Sequence, residues 1–113
     1  MRYADIYKPE TTKLDGHDLY KVEFKVGLVF FKFLLGMADA EGIANLVRIT
    51  EQGSYMFELE GEEGWCGIVS KDRMGLSLQI NSVGSVTLRG DASRVIVESI
   101  LEAHDRAVAN MVG

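Results

Sequence analysis

KVGLVFFKFLLGMADAEG, residues 25–42, is the stretch on which the division of this chain into strands and helices depends. Good helix formers fill its second half and Gly42 follows them, which is typical of a helix that ends at a glycine. We therefore predict a helix over 28–41. A strand is the alternative, because apolar residues at every second position would share one face and favour β structure. Those residues are Val29, Phe31, Phe33 and Leu35.

As a helix, residues 28–41 would be apolar around most of their circumference. Only one narrow stripe, which holds Lys32, Gly36 and Asp39, is polar or small. One face of a sheet cannot cover so wide an apolar surface, so the helix needs a second neighbour, either the C-terminal helix or another protein chain. The aromatic residues that we expect to contact a neighbour are Phe30, Phe31 and Phe33.

On the N-terminal side of this stretch, the pattern changes from irregular to alternating. Residues 1–17 mix aromatic, charged and turn-forming side chains without a regular period, so we predict an irregular N-terminal arm. Residues 19–26 alternate between apolar and charged side chains, which predicts a half-buried strand. The folded domain is accordingly expected to span 18–113.

On the C-terminal side, short apolar segments are separated by turns that contain glycine, as in an antiparallel meander. The predicted strands are 43–50, 54–60, 65–70, 75–81 and 85–89. Asp91 is suited to capping a helix N-terminus, and residues 92–111 place their apolar side chains on one half of a helical wheel. This last segment predicts a long helix that packs on the sheet.

These elements predict an α+β fold with a single antiparallel sheet of five to six strands and two helices on one face. The element order β-α-β-β-β-β-β-α resembles the topology of the TATA-binding-protein-like folds. It resembles less closely the helix-grip folds, which enclose a ligand cavity under a long C-terminal helix. Both resemblances concern element order alone, so no functional residue is carried over from either fold.

Composition limits the function classes. The 113 residues, 47% of them apolar, suit one compact domain. Seventeen acidic against twelve basic residues give a net charge of −5, which disfavours binding to nucleic acid. The one cysteine cannot form an internal disulfide, and no apolar run is long enough to span a membrane. With no signal-peptide pattern at the N-terminus, we expect a cytoplasmic protein.

Three places in the sequence are candidate binding sites. His104 falls in the middle of the apolar side of the last helix, where a buried, hydrogen-bonded structural histidine is the favoured interpretation. Trp65 and Cys66 are adjacent in a predicted strand and would point to opposite faces. A pairing of Cys66 with His104 as nucleophile and base is a weaker hypothesis.

The third place is an acidic hairpin that includes Glu60, Glu62 and Glu63. Carboxylates grouped in this way could attract a basic protein partner, whereas the spacing lacks the ligands of a calcium loop. We therefore expect an interaction patch rather than a metal site. We identify no catalytic residue, metal or cofactor from the sequence.

The function that this pattern favours is a non-enzymatic, self-associating interaction module, with a homodimer as the expected assembly. The alternative is a small-molecule-binding domain with a pocket between sheet and helices. An enzyme and a nucleic-acid-binding protein are less favoured, because the sequence contains no catalytic constellation and has a negative net charge.

Overall fold

Two antiparallel sheets and two helices make up the part of the chain that the structure describes. The structure is a computed structural model, and it describes residues 6–59, 65–81 and 85–112. Its strands are β1 (Ile6–Lys13), β2 (Leu19–Val26), β3 (Val29–Gly36), β4 (Gly53–Glu58), β5 (Cys66–Asp72), β6 (Gly75–Asn81) and β7 (Ser85–Arg89). Its helices are α1 (Met37–Arg48) and α2 (Asp91–Val112). The first sheet has the order β1-β2-β3, and the second sheet has the order β4-β5-β6-β7.

Most of the stretch at 28–41 is a strand, so the predicted helix there is wrong and the alternative is correct. Gly27 and Leu28 form a two-residue turn between β2 and β3, and Gly27 has the positive φ, 58°, that such turns favour. This turn pairs alternate apolar residues of the two strands on one buried face. They are Tyr20, Val22, Phe24 and Val26 of β2, and Phe31, Phe33 and Leu35 of β3. Pairing with β2 therefore decides the structure of this stretch.

Strand β1 lies where we predicted an irregular arm, so that prediction is wrong for residues 6–13. The pairing register of β1 with β2 shifts within the segment from Tyr7 to Glu10, which contains Pro9. Proline has no N–H to donate and is tolerated in an edge strand or at a bulge. The shift interrupts the two-residue period, which is why the sequence pattern does not indicate this strand.

Helix α1 begins after Gly36 and includes most of 43–50, so the strand predicted there is wrong. Its buried residues follow a helical spacing. They are Ala40, Ile43, Ala44 and Leu46. Gly42, which the sequence suggested as a helix end, lies inside the helix against the ring of Tyr55. A Cβ at Gly42 would come within 2.3 Å of that ring, so close packing explains the glycine.

The second sheet contains the four remaining predicted strands, 54–60, 65–70, 75–81 and 85–89, as β4 to β7. Helix α1 separates β3 from β4 along the chain, and within the described ranges no strand pairing joins the two sheets. The single sheet of five to six strands is therefore wrong. The resemblances to the TATA-binding-protein-like and helix-grip topologies depended on that single sheet and fall with it. The α+β class is confirmed.

Helix α2 confirms the long helix predicted over 92–111. The Gly90 carbonyl accepts its first backbone hydrogen bond, from the N–H of Arg94 at 3.0 Å. The helix contacts both sheets and α1, and residues of β2 to β7 and of both helices form one apolar core in a small single domain. Neither helix is long and apolar enough, over the residues described, to cross a membrane.

Candidate functional site

Three consecutive large apolar side chains are exposed where β2 turns into β3. Leu28, Val29 and Phe30, which we call the hairpin end, are 96%, 56% and 55% exposed. Leu28 occupies the turn. Val29 lies on the core side of β3 but is not covered by the core, and Phe30 lies on the opposite side. The hairpin end therefore presents apolar surface on both faces of the first sheet.

Of the three phenylalanines that we predicted as contact residues, only Phe30 is exposed. Phe31 and Phe33 are both buried beside Phe24 of β2, so both face the core and neither presents its ring to a partner. The ring centroids of Phe24 and Phe31 are 5.0 Å apart at an interplanar angle of 17°. Those of Phe24 and Phe33 are 6.2 Å apart at 85°. Both arrangements are favourable, and together they support the hairpin end from the core side.

Charged side chains surround Phe30 on the outer face of the first sheet. Phe30 lies opposite Lys25 in the strand pair, and Lys32 lies opposite Glu23. The Nζ atom of Lys21 is 3.2 Å from Oε1 of Glu23. An aromatic centre with a polar rim is the usual anatomy of a protein contact surface.

Strand β3 is also an edge of the first sheet. It pairs with β2 on one side, and no other described strand pairs with its second side. An edge strand presents backbone N–H and C=O groups that can bind a further strand. The hairpin end therefore adjoins a hydrogen-bonding edge.

His104 is buried beside Tyr20, and their contact joins α2 to the first sheet. The Tyr20 hydroxyl oxygen is 2.8 Å from Nδ1 of His104, and the two rings meet edge to face. Burial raises the pKa of the Tyr20 hydroxyl above its usual 10.0, and the negative charges of Asp105 and Asp18 raise it further. A buried imidazole with a neutral phenol as its partner is the environment of a structural histidine.

Trp65 and Cys66 lie on either side of the point where β5 begins. Trp65 packs partly against the core, and Cys66 is half-buried on the outer face of the second sheet. The side-chain amide of Asn81 donates to Sγ of Cys66 at 3.6 Å. The hydrogen bond of Cys66 is with Asn81 and that of His104 is with Tyr20, so the structure does not support the hypothesis of a Cys66 and His104 pair.

The acidic residues Glu60, Glu62 and Glu63 lie outside the described residues. The basic protein partner that we expected for them stays a prediction. Glu58, at the end of β4, is described and is exposed. Among the described residues, no group of three or more histidine, cysteine, aspartate or glutamate side chains is arranged to hold a metal ion.

An ion pair that the sequence did not indicate joins α1 to α2. The two terminal nitrogens of Arg48 donate to the two carboxylate oxygens of Asp105, at 2.9 and 2.7 Å. The guanidinium holds the pKa of Asp105 below its usual range. This pair and His104 line a groove of about 420 Å³ between the two helices.

A larger open groove, of about 880 Å³, lies between β1, the turn after β1, and the second half of α2. The alanines Ala103 and Ala107 contribute to its floor, and its walls carry both acidic and basic side chains. The polar lining includes Glu10, Asp15, His17, Glu102, Arg106 and Asn110. A groove between a sheet and a helix is the kind of pocket that the alternative function, small-molecule binding, would require.

Sequence reasoning missed Leu28 and Val29 as surface residues because it placed both in a helix. One signal for them was present, since Gly27 and Leu28 stand between two runs of alternating apolar residues, as a two-residue hairpin turn would. The partners in the Arg48 and Asp105 pair are 57 positions apart, and no local pattern indicates such a contact.

Comparison with known proteins found no family model, no curated protein and no solved structure that matches this chain. A functional conclusion must therefore come from the geometry of the described residues. In that geometry, the hairpin end and the edge of β3 form the most distinctive surface.

Proposed function

We propose that this protein is a non-enzymatic interaction module that forms a homodimer through its hairpin end. The observation that carries the proposal is the exposure of Leu28, Val29 and Phe30 side by side. Single exposed apolar residues are ordinary on protein surfaces, whereas contiguous ones mark contact sites. The aromatic packing of Phe31 against Phe24 supports a contact surface that needs little ordering when it binds.

A second copy of the chain is the partner that this surface fits best. The hairpin end is apolar and lies beside a strand edge, so the edges of two copies can pair while the hairpin end of each copy contacts apolar surface of the other. Symmetric pairs are the commonest closed assemblies of soluble proteins. A basic partner would be repelled by Lys25 and Lys32, which flank Phe30, and would suit the acidic residues at 60–63 better.

Sedimentation equilibrium on two matched variants tests this proposal. Phe30→Asp places a charge in the hairpin end, whereas Met74→Asp places the same charge in another hairpin turn, where Met74 is 92% exposed. We expect a dimer at micromolar concentration for the wild type and for Met74→Asp, and a monomer for Phe30→Asp. A wild-type monomer across the accessible concentration range would contradict the proposal.

A small-molecule site is the second candidate function, and the groove of about 880 Å³ between β1 and α2 favours it. Its lining contains acidic and basic side chains as well as apolar residues on the floor. Such a lining suits a small ligand with an acidic group held by Arg106. Native mass spectrometry of the protein purified from cells tests this candidate. A bound mass that is lost in Arg106→Ala would support it, and a bare chain mass would count against it.

A further inference from the structure

The backbone of β3 directs hydrogen-bonding groups away from the sheet at alternate residues. The two-residue turn makes Val26 and Val29 a hydrogen-bonded pair, and such pairs recur at every second position along the two strands. The residues between them face outward. Phe30, Lys32 and Leu34 therefore direct their N–H and C=O groups away from β2.

A backbone hydrogen bond at the other end of the strand pair confirms which residues of β3 bond to β2 and which face outward. The N–H of Met37 donates to the carbonyl of Asp18 at 2.9 Å, and this pair falls in the same alternating series. No residue within 6–59, 65–81 or 85–112 makes a hydrogen bond to the outward groups of β3. These groups are therefore free to bind a further strand.

Phe30, Lys32 and Leu34, the outward residues of β3 before its last residue Gly36, are arranged symmetrically about Lys32, so β3 can pair with a copy of itself. A two-fold axis beside Lys32 places Phe30 opposite Leu34 of the second copy, and Lys32 opposite its own counterpart. An axis beside Phe31 or Phe30 would leave Leu34 without a strand partner. An axis beside Phe33 would pair Phe30 with Gly36, but Gly36 is the N-cap of α1 and its carbonyl accepts the first hydrogen bond of that helix. The axis beside Lys32 thus pairs all three outward residues without involving α1.

Side chains on the outer face favour the same register, with one exception. Phe30 and Leu34 would form an apolar pair on each side of the axis, and such cross-strand pairs stabilise sheets. The exception is the juxtaposition of two Lys32 side chains. Each of them already lies opposite Glu23 of its own β2, which offsets the repulsion between the lysines.

We propose that β3 pairs antiparallel with β3 of a second copy, about a two-fold axis beside Lys32, so that the two first sheets form one continuous sheet. This inference rests on the proposed homodimer and specifies how the two copies bind. In this arrangement, Leu28 and Val29 of one chain lie beside the C-terminal end of β3 of the other chain. Their apolar surface is therefore covered on association.

The substitution Lys32→Pro tests strand pairing separately from apolar contact. Its N–H points away from β2, so proline removes no hydrogen bond of the first sheet and is tolerated at such an edge position. We expect a folded monomer, judged by circular dichroism and sedimentation. The control Lys32→Thr keeps the N–H and removes the repulsion between lysines, so it should remain a dimer. A dimeric Lys32→Pro would overturn the inference.

Disulfide trapping tests the register even if the proline variant does not fold. In a Cys66→Ser background, Lys32→Cys should form a disulfide-linked dimer under mild oxidation, because facing residues at the axis have Cα atoms about 5.5 Å apart. Phe30→Cys alone should not, because its two copies would lie about 13 Å apart along the strands. A link in Phe30→Cys alone, or only in a mixture of the two variants, would overturn this register.

The outcomes also separate this inference from the proposed function. If Phe30→Asp is monomeric while Lys32→Pro remains a dimer, the hairpin end is the contact surface and strand pairing is wrong. If the wild type is a monomer, both the homodimer and the strand pairing fall.

Discussion

Two hairpins of this protein end in two-residue turns with a large apolar side chain at the tip, and they differ in what surrounds that side chain. Leu28 at the end of β2 and β3 is 96% exposed, and Met74 at the end of β5 and β6 is 92% exposed. Beside Met74 stand Asp72 and Arg73, and an Asp72 carboxylate oxygen accepts the Met74 N–H at 2.7 Å. The second turn is therefore a polar turn with one apolar residue.

The first turn differs in its neighbours rather than in its exposure. Val29 and Phe30 extend the apolar surface from Leu28 onto both faces of the sheet. Strand β3 also lies at the edge of its sheet, whereas β5 and β6 are both paired on two sides. In our proposal, contiguity and a free edge, rather than the exposure of one residue, distinguish the contact surface.

The largest expected effect comes from removing the aromatic support beneath the first hairpin. Phe24→Ala deletes the ring that packs on Phe31 and Phe33, and we expect it to lower the free energy of unfolding by about 3–5 kcal/mol. Leu78→Ala in the second sheet is the control, with an expected cost of about 2–5 kcal/mol. Urea denaturation measures both variants.

The informative difference between those two variants is in association. For the folded protein, Phe24→Ala should weaken the dimer because it loosens the hairpin end, and Leu78→Ala should leave the dimer unchanged. Equal weakening by both substitutions would show that the contact surface is not confined to the first hairpin.

The next effect concerns how each sheet is attached to α2. Tyr20→Phe leaves Nδ1 of the buried His104 without its partner, so we expect a loss of about 1–3 kcal/mol. For the second sheet, the Ser93 hydroxyl of α2 donates to the carbonyl of Leu76 in β6 at 2.7 Å. The N–H of Gly90 also donates to that carbonyl. Ser93→Ala should therefore cost less, about 0.5–1.5 kcal/mol.

His104→Gln should also destabilise by about 1–3 kcal/mol, because an amide cannot match the contact of the imidazole with the Tyr20 hydroxyl. Thermal and urea unfolding measure this variant and the two above. A His104→Gln protein as stable as the wild type would contradict the structural role of the histidine.

Alkaline unfolding gives a smaller effect that again separates the sheets. Burial raises the pKa of Tyr20, in the first sheet, and a hydrogen bond to Asp39 raises that of Tyr55, in the second. When folding raises the pKa of a tyrosine hydroxyl, that group stabilises the fold at pH values below its unfolded pKa of 10.0. This contribution is lost as the pH rises through the folded pKa.

We therefore expect the free energy of unfolding to fall as pH rises above about 10. The fall should be shallower in Tyr20→Phe and in Tyr55→Phe, and Tyr20→Phe should show the larger change because Tyr20 is the more deeply buried. Urea midpoints measured between neutral and alkaline pH test this. Identical profiles for the wild type and Tyr20→Phe would contradict the assignment.

The smallest effect on stability is expected at the two turns themselves. Leu28→Asp and Met74→Asp both replace exposed residues, so each should change the free energy of unfolding of the monomer by less than about 0.5 kcal/mol. Their dimer affinities should nevertheless differ, with a loss for Leu28→Asp alone. Equal affinities would remove the distinction between the hairpins.

Local patterns predicted the second sheet and α2 well, because their signals are contained in short segments. Strands β6 and β7 occupy the predicted 75–81 and 85–89, where apolar residues alternate between glycine-containing turns. In α2, the apolar side of the helical wheel becomes the face that contacts both sheets. In both cases the residues that set the pattern are near neighbours in sequence.

The first sheet was not predictable in the same way, because tertiary contacts decide it. Residues 29–36 fit either structure locally, and the pairing of Val29 with Val26 together with the packing of Phe31 on Phe24 selects the strand. The error then moved the following helix and added a strand at 43–50. Pro9 and the register shift beside it concealed β1.

Of the candidate site, Phe30 was predicted as a contact residue, although on the wrong element. The exposure of Leu28 and Val29 follows from the turn between β2 and β3, which the sequence analysis did not predict. The contact of Tyr20 with His104 joins residues 84 positions apart, so a sequence pattern can indicate that His104 is buried and cannot indicate its partner. Long-range contacts of this kind follow from the fold alone.

Amide hydrogen exchange at two protein concentrations, resolved by residue, tests the central claim most directly. At high concentration we expect slowed exchange at Phe30, Lys32 and Leu34, whose N–H groups would bind the second copy, and fast exchange after dilution to the monomer. The amides of Phe31 and Phe33, which bond to β2, should be protected at both concentrations. Exchange at Phe30, Lys32 and Leu34 that does not change with concentration would contradict association through this edge.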